Sequence, residues 1–202
     1  MKKFLTILLF SVYAGAAVPA HAQAFASAEP THFTFRIPVS ICWWAPAGKD
    51  WRGSVTGIAG LRSGVELYPH KAGASPEDGT FRLYGRALLG WRIGAGDQGT
   101  YGELYNAFSA QAGLFARVNI TRQHGLYLGG GAGWAVEAHS FSPKHSAQKT
   151  ETKRGAAVTL TAGYQFKTAG RFSVFVEAEY AHFLADSCLD VFMPSAGITI
   201  GL

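Results

Sequence analysis

Ten charged side chains recur opposite the apolar residues in the alternating segments of the chain: Arg36, Arg62, Arg82, Arg86, Arg92 and Arg117, with Glu66, Glu137, Glu177 and Glu179. Scattered this widely, they are not a catalytic pair on their own. They can neutralise one another if the fold gathers them into a confined space, or line a selective passage. Either sign buried alone would cost several kcal/mol, at roughly the scale expected for an unpaired buried charge. A hydrolytic site would need a nucleophile within hydrogen-bond reach of its base. The late segment Tyr180-Ala181-His182-Phe183-Leu184 supplies a base, but Ser187 lies too far along and on the wrong parity, with Asp186 beside it. That pair reads as broken, so no enzyme is expected. Cys42 and Cys188, without His at ligand spacing, do not make a zinc site. No metal and no cofactor are expected.

What must position the charges is a set of strands. Eight segments alternate with period two, the signature of a ribbon with one oily face. They run Phe33–Ile41, Ser54–Leu67, Phe81–Ile93, Asn106–Ile120, Leu126–Ala138, Ala156–Phe166, Phe172–Leu184, and from Val191 to the end. The fourth is the clearest: Phe108, Ala110, Ala112, Leu114, Ala116, Val118 and Ile120 oppose Ser109, Gln111, Gly113, Arg117 and Asn119. The first is the least regular, because Pro38 cannot donate to a ladder. Tight polar turns, 121–125 and 167–171, alternate with longer polar loops, 94–103, 140–154 and 185–190; 69–80 breaks this pattern by its length.

The two termini decide which solvent the oily face meets. Met1-Lys2-Lys3, an apolar run from Phe4 to Val18 and Ala20-His21-Ala22 form the basic start, core and cleavage pattern of a signal peptide over residues 1–22. A membrane-spanning anchor is the competing reading, but the run is shorter than the roughly 20 residues a span needs. Residues 23–32 then read as a periplasmic lead-in, and 33–202 as one domain. At the far end, Ala196, Ile198, Ile200 and Leu202 alternate with Ser195, Gly197, Thr199 and Gly201. An exported chain closing on such a strand resembles the bacterial outer-membrane β-barrels. Ser195, Gly197, Ile200 and Leu202 occupy their terminal assembly pattern, with Leu202 where an aromatic residue is usual. The resemblance implies recognition by the barrel-assembly machinery.

Composition agrees. Charged residues are 15%, aromatic residues 13% and glycines 25 of 202. Soluble domains carry roughly 25% charged residues, whereas transmembrane barrels alternate lipid-facing with lumen-facing residues and show no long apolar span. Losing Lys2 and Lys3 with the signal takes the formal charge from +5 to +3, and no basic stripe suits nucleic acid. The expected fold is therefore all-β, an eight-stranded antiparallel up-and-down transmembrane barrel. The alternative is a soluble lipocalin-like barrel with its oily face inward around a ligand.

In the transmembrane reading the ten charges fill the lumen, which eight strands leave just wide enough for side chains. A salt-bridged plug is expected in preference to a narrow pore, with Gly129, Gly131 and Gly133 making space for larger neighbours. Trp43, Trp44, Trp51, Trp91, Tyr164 and Phe166 are placed in aromatic girdles at strand ends. Barrel closure brings Cys42 and Cys188 to one rim, and an oxidising compartment then permits a Cys42–Cys188 disulfide.

The chain resembles the small barrels related to the transmembrane domain of outer-membrane protein A and to outer-membrane protein X. That implies a protein of the bacterial outer membrane, among lipid and lipopolysaccharide, with any activity in its outer loops. A structural or surface-contact role follows, through the basic loop carrying Lys144, His145, Lys149, Lys153 and Arg154 against Glu151, toward lipopolysaccharide or a host surface. The enzymatic alternative is a lipid A deacylase. Those barrels carry His-x-Ser on a late strand with a nearby acid, and a rearranged site here would use His182, Ser187 and Asp186.

Overall fold

A computed structural model describes residues 31–46, 57–71, 80–97, 101–143, 149–168, 170–184 and 190–202. The expected signal peptide and most of the lead-in lie outside them. Eight strands follow in chain order: β1 Thr31–Pro46, β2 Gly57–Lys71, β3 Phe81–Asp97, β4 Tyr101–Asn119, β5 His124–Pro143, β6 Lys149–Lys167, β7 Phe172–Phe183 and β8 Val191–Gly201. Each pairs antiparallel with its sequence neighbours, and β1 with β8, so the sheet closes and leaves no open side.

Alternation sets which way each residue points. Along β7 exposure and burial alternate, with Phe172, Val174 and Val176 outward and Ser173, Phe175 and Glu177 inward. The outer surface is an apolar band, with Leu114 75% exposed and Val158 and Val176 also exposed. The charged residues are inside: Glu179 is 0% exposed, and Arg62, Glu66, Arg86 and Arg117 are buried. A soluble barrel would reverse these faces. Lipid is the solvent that makes this surface stable, because the closed ladder satisfies the backbone without water.

The prolines show how closely local chemistry follows the register. Pairing of β1 with β2 lapses between Arg36↔Glu66 and Val39↔Ser63 and resumes in the same register, bracketing Pro38. Pairing of β1 with β8 lapses between Cys42↔Ser195 and Ala45↔Phe192, bracketing Pro194. Each proline leaves its gap on the ladder its missing N–H would have served.

The strands are longer than the hydrophobic alternation alone suggests. β1 spans Thr31–Pro46 instead of Phe33–Ile41, and β2 runs on to Lys71, shortening the anomalous 69–80 connection. The expected outer loops 94–103 and 140–154 are largely ladder, paired up to Asp97↔Gly102 and Phe141↔Lys149. Backbone pairing continues above the lipid band, where the oily alternation thins out and upper β6 carries polar side chains on both faces. The wall is uneven in consequence: β4, β5 and β6 have 19, 20 and 19 residues, whereas β7 and β8 have 12 and 11.

Candidate functional site

The lumen is built in layers. Nearest the short turns, Tyr68, Tyr84, Phe115 and Tyr127 form an aromatic cluster, with Tyr68 and Tyr84 stacked at 4.5 Å between centroids. Two glycines admit these rings. A Cβ at Gly129 would run into the Phe115 ring, and one at Gly163 into the Tyr127 ring. Arg86 spans this layer and the next, its guanidinium 4.6 Å from the Phe115 centroid and 5.1 Å from that of Tyr127. Such stacking is worth about 0.5–2 kcal/mol per contact, the upper end applying where water is excluded.

The middle layer holds the ion pairs. Arg86 donates to Glu66 Oε1 at 2.6 Å and to Glu177 Oε2 at 2.6 Å; Arg62 donates to Glu179 Oε2 at 2.9 Å and lies 3.5 Å from Glu177. Neutral donors add to the carboxylates, although Glu179 Oε1 and Arg62 Nη1 find no hydrogen-bond partner among the described residues. Tyr127 Oη and Ser195 Oγ donate to Glu177, Tyr68 Oη donates to Glu66, and Gln111 Nε2 donates to Glu179. A buried pair adds little net stability by itself, so it is the full set of donors that makes this layer tolerable.

The other expected network members fall elsewhere. Arg117 donates to the Gln165 amide oxygen, Arg36 lies over the Tyr68 ring at 5.0 Å, and Arg92 donates to the Met193 sulfur at 3.4 Å. Glu137 is buried toward the loop end and makes no ion pair among the described residues; Arg82 is half-buried near the turn end. Two arginines and three glutamates thus form the central ion-paired group among the described residues, held by tyrosine, serine and glutamine. Parity alone marks Tyr127, Gln111 and Gln165 as inward-facing, but an uncharged residue gives no further sign of its partner.

The loop end of the lumen is apolar. Trp44, Ile58, Tyr105, Ala107, Ala135, Ala157, Ala181, Phe183, Val191 and Met193 pack together there. Two expectations are corrected in this layer. Trp44 is no girdle residue: its parity turns it inward, stacked 5.0 Å from Tyr105, whereas Trp43 and Trp91 do face outward. Cys42 is not at the rim, because β1 continues four residues past it and its side chain is inward and 0% exposed. It is a free thiol. Cys188 lies outside the described residues, as do Trp51, Lys144 and His145.

The assembly-pattern residues are part of the wall. Ser195 and Gly197 face inward, Gly197 tight against Ser40, while Ile200 pairs with Phe172 and Ile37 on the outer face and Leu202 is exposed. Outside the barrel, at the loop end of β7, is a polar cluster. Tyr180 Oη donates to Asp190 Oδ2 at 2.7 Å, His182 Nδ1 lies 2.9 Å from Asp190 Oδ1, and the Phe183 amide reaches the same oxygen at 3.4 Å. Partial burial works to raise the Asp190 pKa, but the bonds from Tyr180 and His182 outweigh it and hold the carboxyl below its ordinary range. The acid beside His182 is therefore Asp190, placed there by the Ala181↔Val191 register. Asp186 and Ser187 lie outside the described residues. No group of three or more His, Cys, Asp or Glu among the described residues could hold a metal.

No protein-family model matches the chain, and no curated protein does. Solved structures do. Ail, the attachment invasion locus protein of Yersinia pestis, in complex with the heparin analogue sucrose octasulfate, aligns with a TM-score of 0.52 at 15% identity, over 87% of this chain and all of that one. Neisserial surface protein A aligns at 0.47 and 10% identity, over 85% and 99%; the outer membrane enzyme PagL aligns at 0.49 and 17%, over 81% and 98%. The fold is that of the small eight-stranded outer-membrane β-barrels.

Proposed function

We propose that the protein is a non-catalytic outer-membrane barrel whose tall β5–β6 hairpin contacts the phosphates of lipopolysaccharide. The observation that carries this is the free upper part of β6. Lys149, Lys153 and Arg154 are exposed on a ladder rising past the end of β7, with Glu151 answering only Lys149, at 3.3 Å, among the described residues. Cations on a rigid ribbon beside the headgroups meet anions at low ordering cost. The lumen's apolar layer at the loop end and its ion-paired centre support a structural body over a pore. The terminal strand serves as the signal read by the barrel-assembly machinery. Replacing Lys149, Lys153 and Arg154 together by Gln is expected to lower binding to lipopolysaccharide micelles at least tenfold at low salt. Unchanged binding would refute the reading.

One observation favours a second, enzymatic reading: Asp190 orients His182 as an acid orients a general base. Mass spectrometry of lipid A incubated with the purified protein tests it. Loss of an acyl chain, abolished by His182→Ala, would establish an enzyme; intact lipid A would leave the non-catalytic reading standing.

A further inference from the structure

The outer face carries two apolar grooves of nearly equal size. One, about 700 Å³, crosses β6, β7 and β8, its floor the in-register row Ala162↔Ala178↔Pro194 with Ala196, bounded by Trp43 and Tyr164. The other, about 670 Å³, crosses β2 to β5 over Ala87↔Ala112↔Ala132. Both are hollows where small side chains lie between large ones. They differ in what stands above them toward the loop end.

Above the second groove, Trp91 Nε1 donates to Asn106 Oδ1 at 2.7 Å, a neutral and mutually satisfied pair. Above the first stand Tyr180, His182 and Asp190. His182 lies four residues beyond Ala178 on the same face of β7, about 13 Å along the strand at the usual rise. Nδ1 is engaged by Asp190, which leaves Nε2 as the free ring nitrogen, on a side chain 54% exposed. Directly across from His182 is Val158, and Arg154 follows one further four-residue step along the same face of β6. The Asp190 carboxylate is already occupied by Tyr180 and His182, so it opposes an incoming anion less than a free one would. An apolar trough therefore leads, at about the depth of one leaflet, to an imidazole nitrogen open to a ligand and then to an exposed guanidinium.

We propose that the β6–β8 groove seats an acyl chain of one lipopolysaccharide molecule, with His182 and Arg154 holding a phosphate of its lipid A headgroup. This rests on the lipopolysaccharide-contacting reading above and gives it a specific seat. The second groove, with no cationic head among the described residues, takes only exchangeable bulk lipid.

Native mass spectrometry of the detergent-purified protein, mixed with equimolar lipid A and phosphatidylglycerol, tests the proposal. Folding of each variant is monitored by heat-modifiable gel migration. One lipid A should be retained in preference to phosphatidylglycerol. Ala178→Leu, which fills the trough with another lipid-compatible side chain, should cut retention about tenfold, while Ala112→Leu in the second groove should leave it unchanged. His182→Gln should abolish the preference for lipid A over its dephosphorylated form. Equal retention of both lipids, equal loss from both filled grooves, or an unaltered preference in His182→Gln would each overturn it. If Ala178→Leu is silent while neutralising Lys149, Lys153 and Arg154 still weakens micelle binding, the seat fails and the broader reading survives. If both are silent, both fail.

Discussion

The middle and the loop end of the lumen are enclosed by the same eight strands, yet they are filled by opposite chemistry. In the middle, Arg62 and Arg86 are matched to Glu66, Glu177 and Glu179, and each carboxylate is approached by further donors. At the loop end, Trp44, Phe183, Val191 and Met193 close over a ring of alanines. The middle layer depends on mutual partnership, because removing one member strands the others out of reach of water. The loop end depends on volume, and volume can be conserved by more than one side chain. The two layers should accordingly differ in how they tolerate a small change.

The largest effect is expected from Glu177→Ala. It takes the acceptor from Arg86, Tyr127 and Ser195 together, and breaking a buried pair this way costs about 3–5 kcal/mol. Urea unfolding in phospholipid bilayers measures it; a loss below 1 kcal/mol would mean that water enters the layer. Gly129→Ala comes next. Its new Cβ would meet the Phe115 ring and the Leu114 carbonyl oxygen at 2.7 Å, and such overpacking costs about 1–3 kcal/mol. At the loop end, Met193→Leu conserves volume and should cost less than about 1.5 kcal/mol in the same assay, despite losing the sulfur contact to Arg92.

The smallest effect concerns the rim. The carboxyl of Asp190 is held below its ordinary range in the folded chain, so its contribution is fully present above the unfolded value, near pH 3.9, and is lost as pH falls through the folded value. Amide exchange at Phe183, normalised for its intrinsic pH dependence, should accelerate only at pH below that window. Asp190→Asn should show the faster exchange at every pH.

Much of this architecture was legible in residue order. Alternation assigned the faces, so Arg62, Arg86, Glu66, Glu177 and Glu179 could be placed inside before any coordinates. Strand length is not legible, because above the lipid band the oily alternation breaks off, most plainly along the polar start of β6, while the backbone keeps pairing. Partners were not legible either. Parity says that Arg92 and Arg117 point inward, but the stagger of a closed barrel decides that they meet Met193 and Gln165 instead of carboxylates. Trp44 and Cys42 depart from expectation for one shared reason: the alternation ends at Ile41 but β1 continues to Pro46, so both are inward residues of a continuing strand and not rim residues. Asp190 was overlooked beside His182 because only the β7–β8 register brings them opposite one another.

The central claim is one of direction: greasy side chains outward, ionic ones within. Spin labels placed singly at Leu114, Val158 and Val176 of the protein in bilayers test it most directly, through collision with dissolved oxygen or an aqueous nickel chelate. The account predicts high oxygen and low nickel accessibility at all three. Labels immobilised and shielded from both reagents would show those positions packed in a core, and would contradict it.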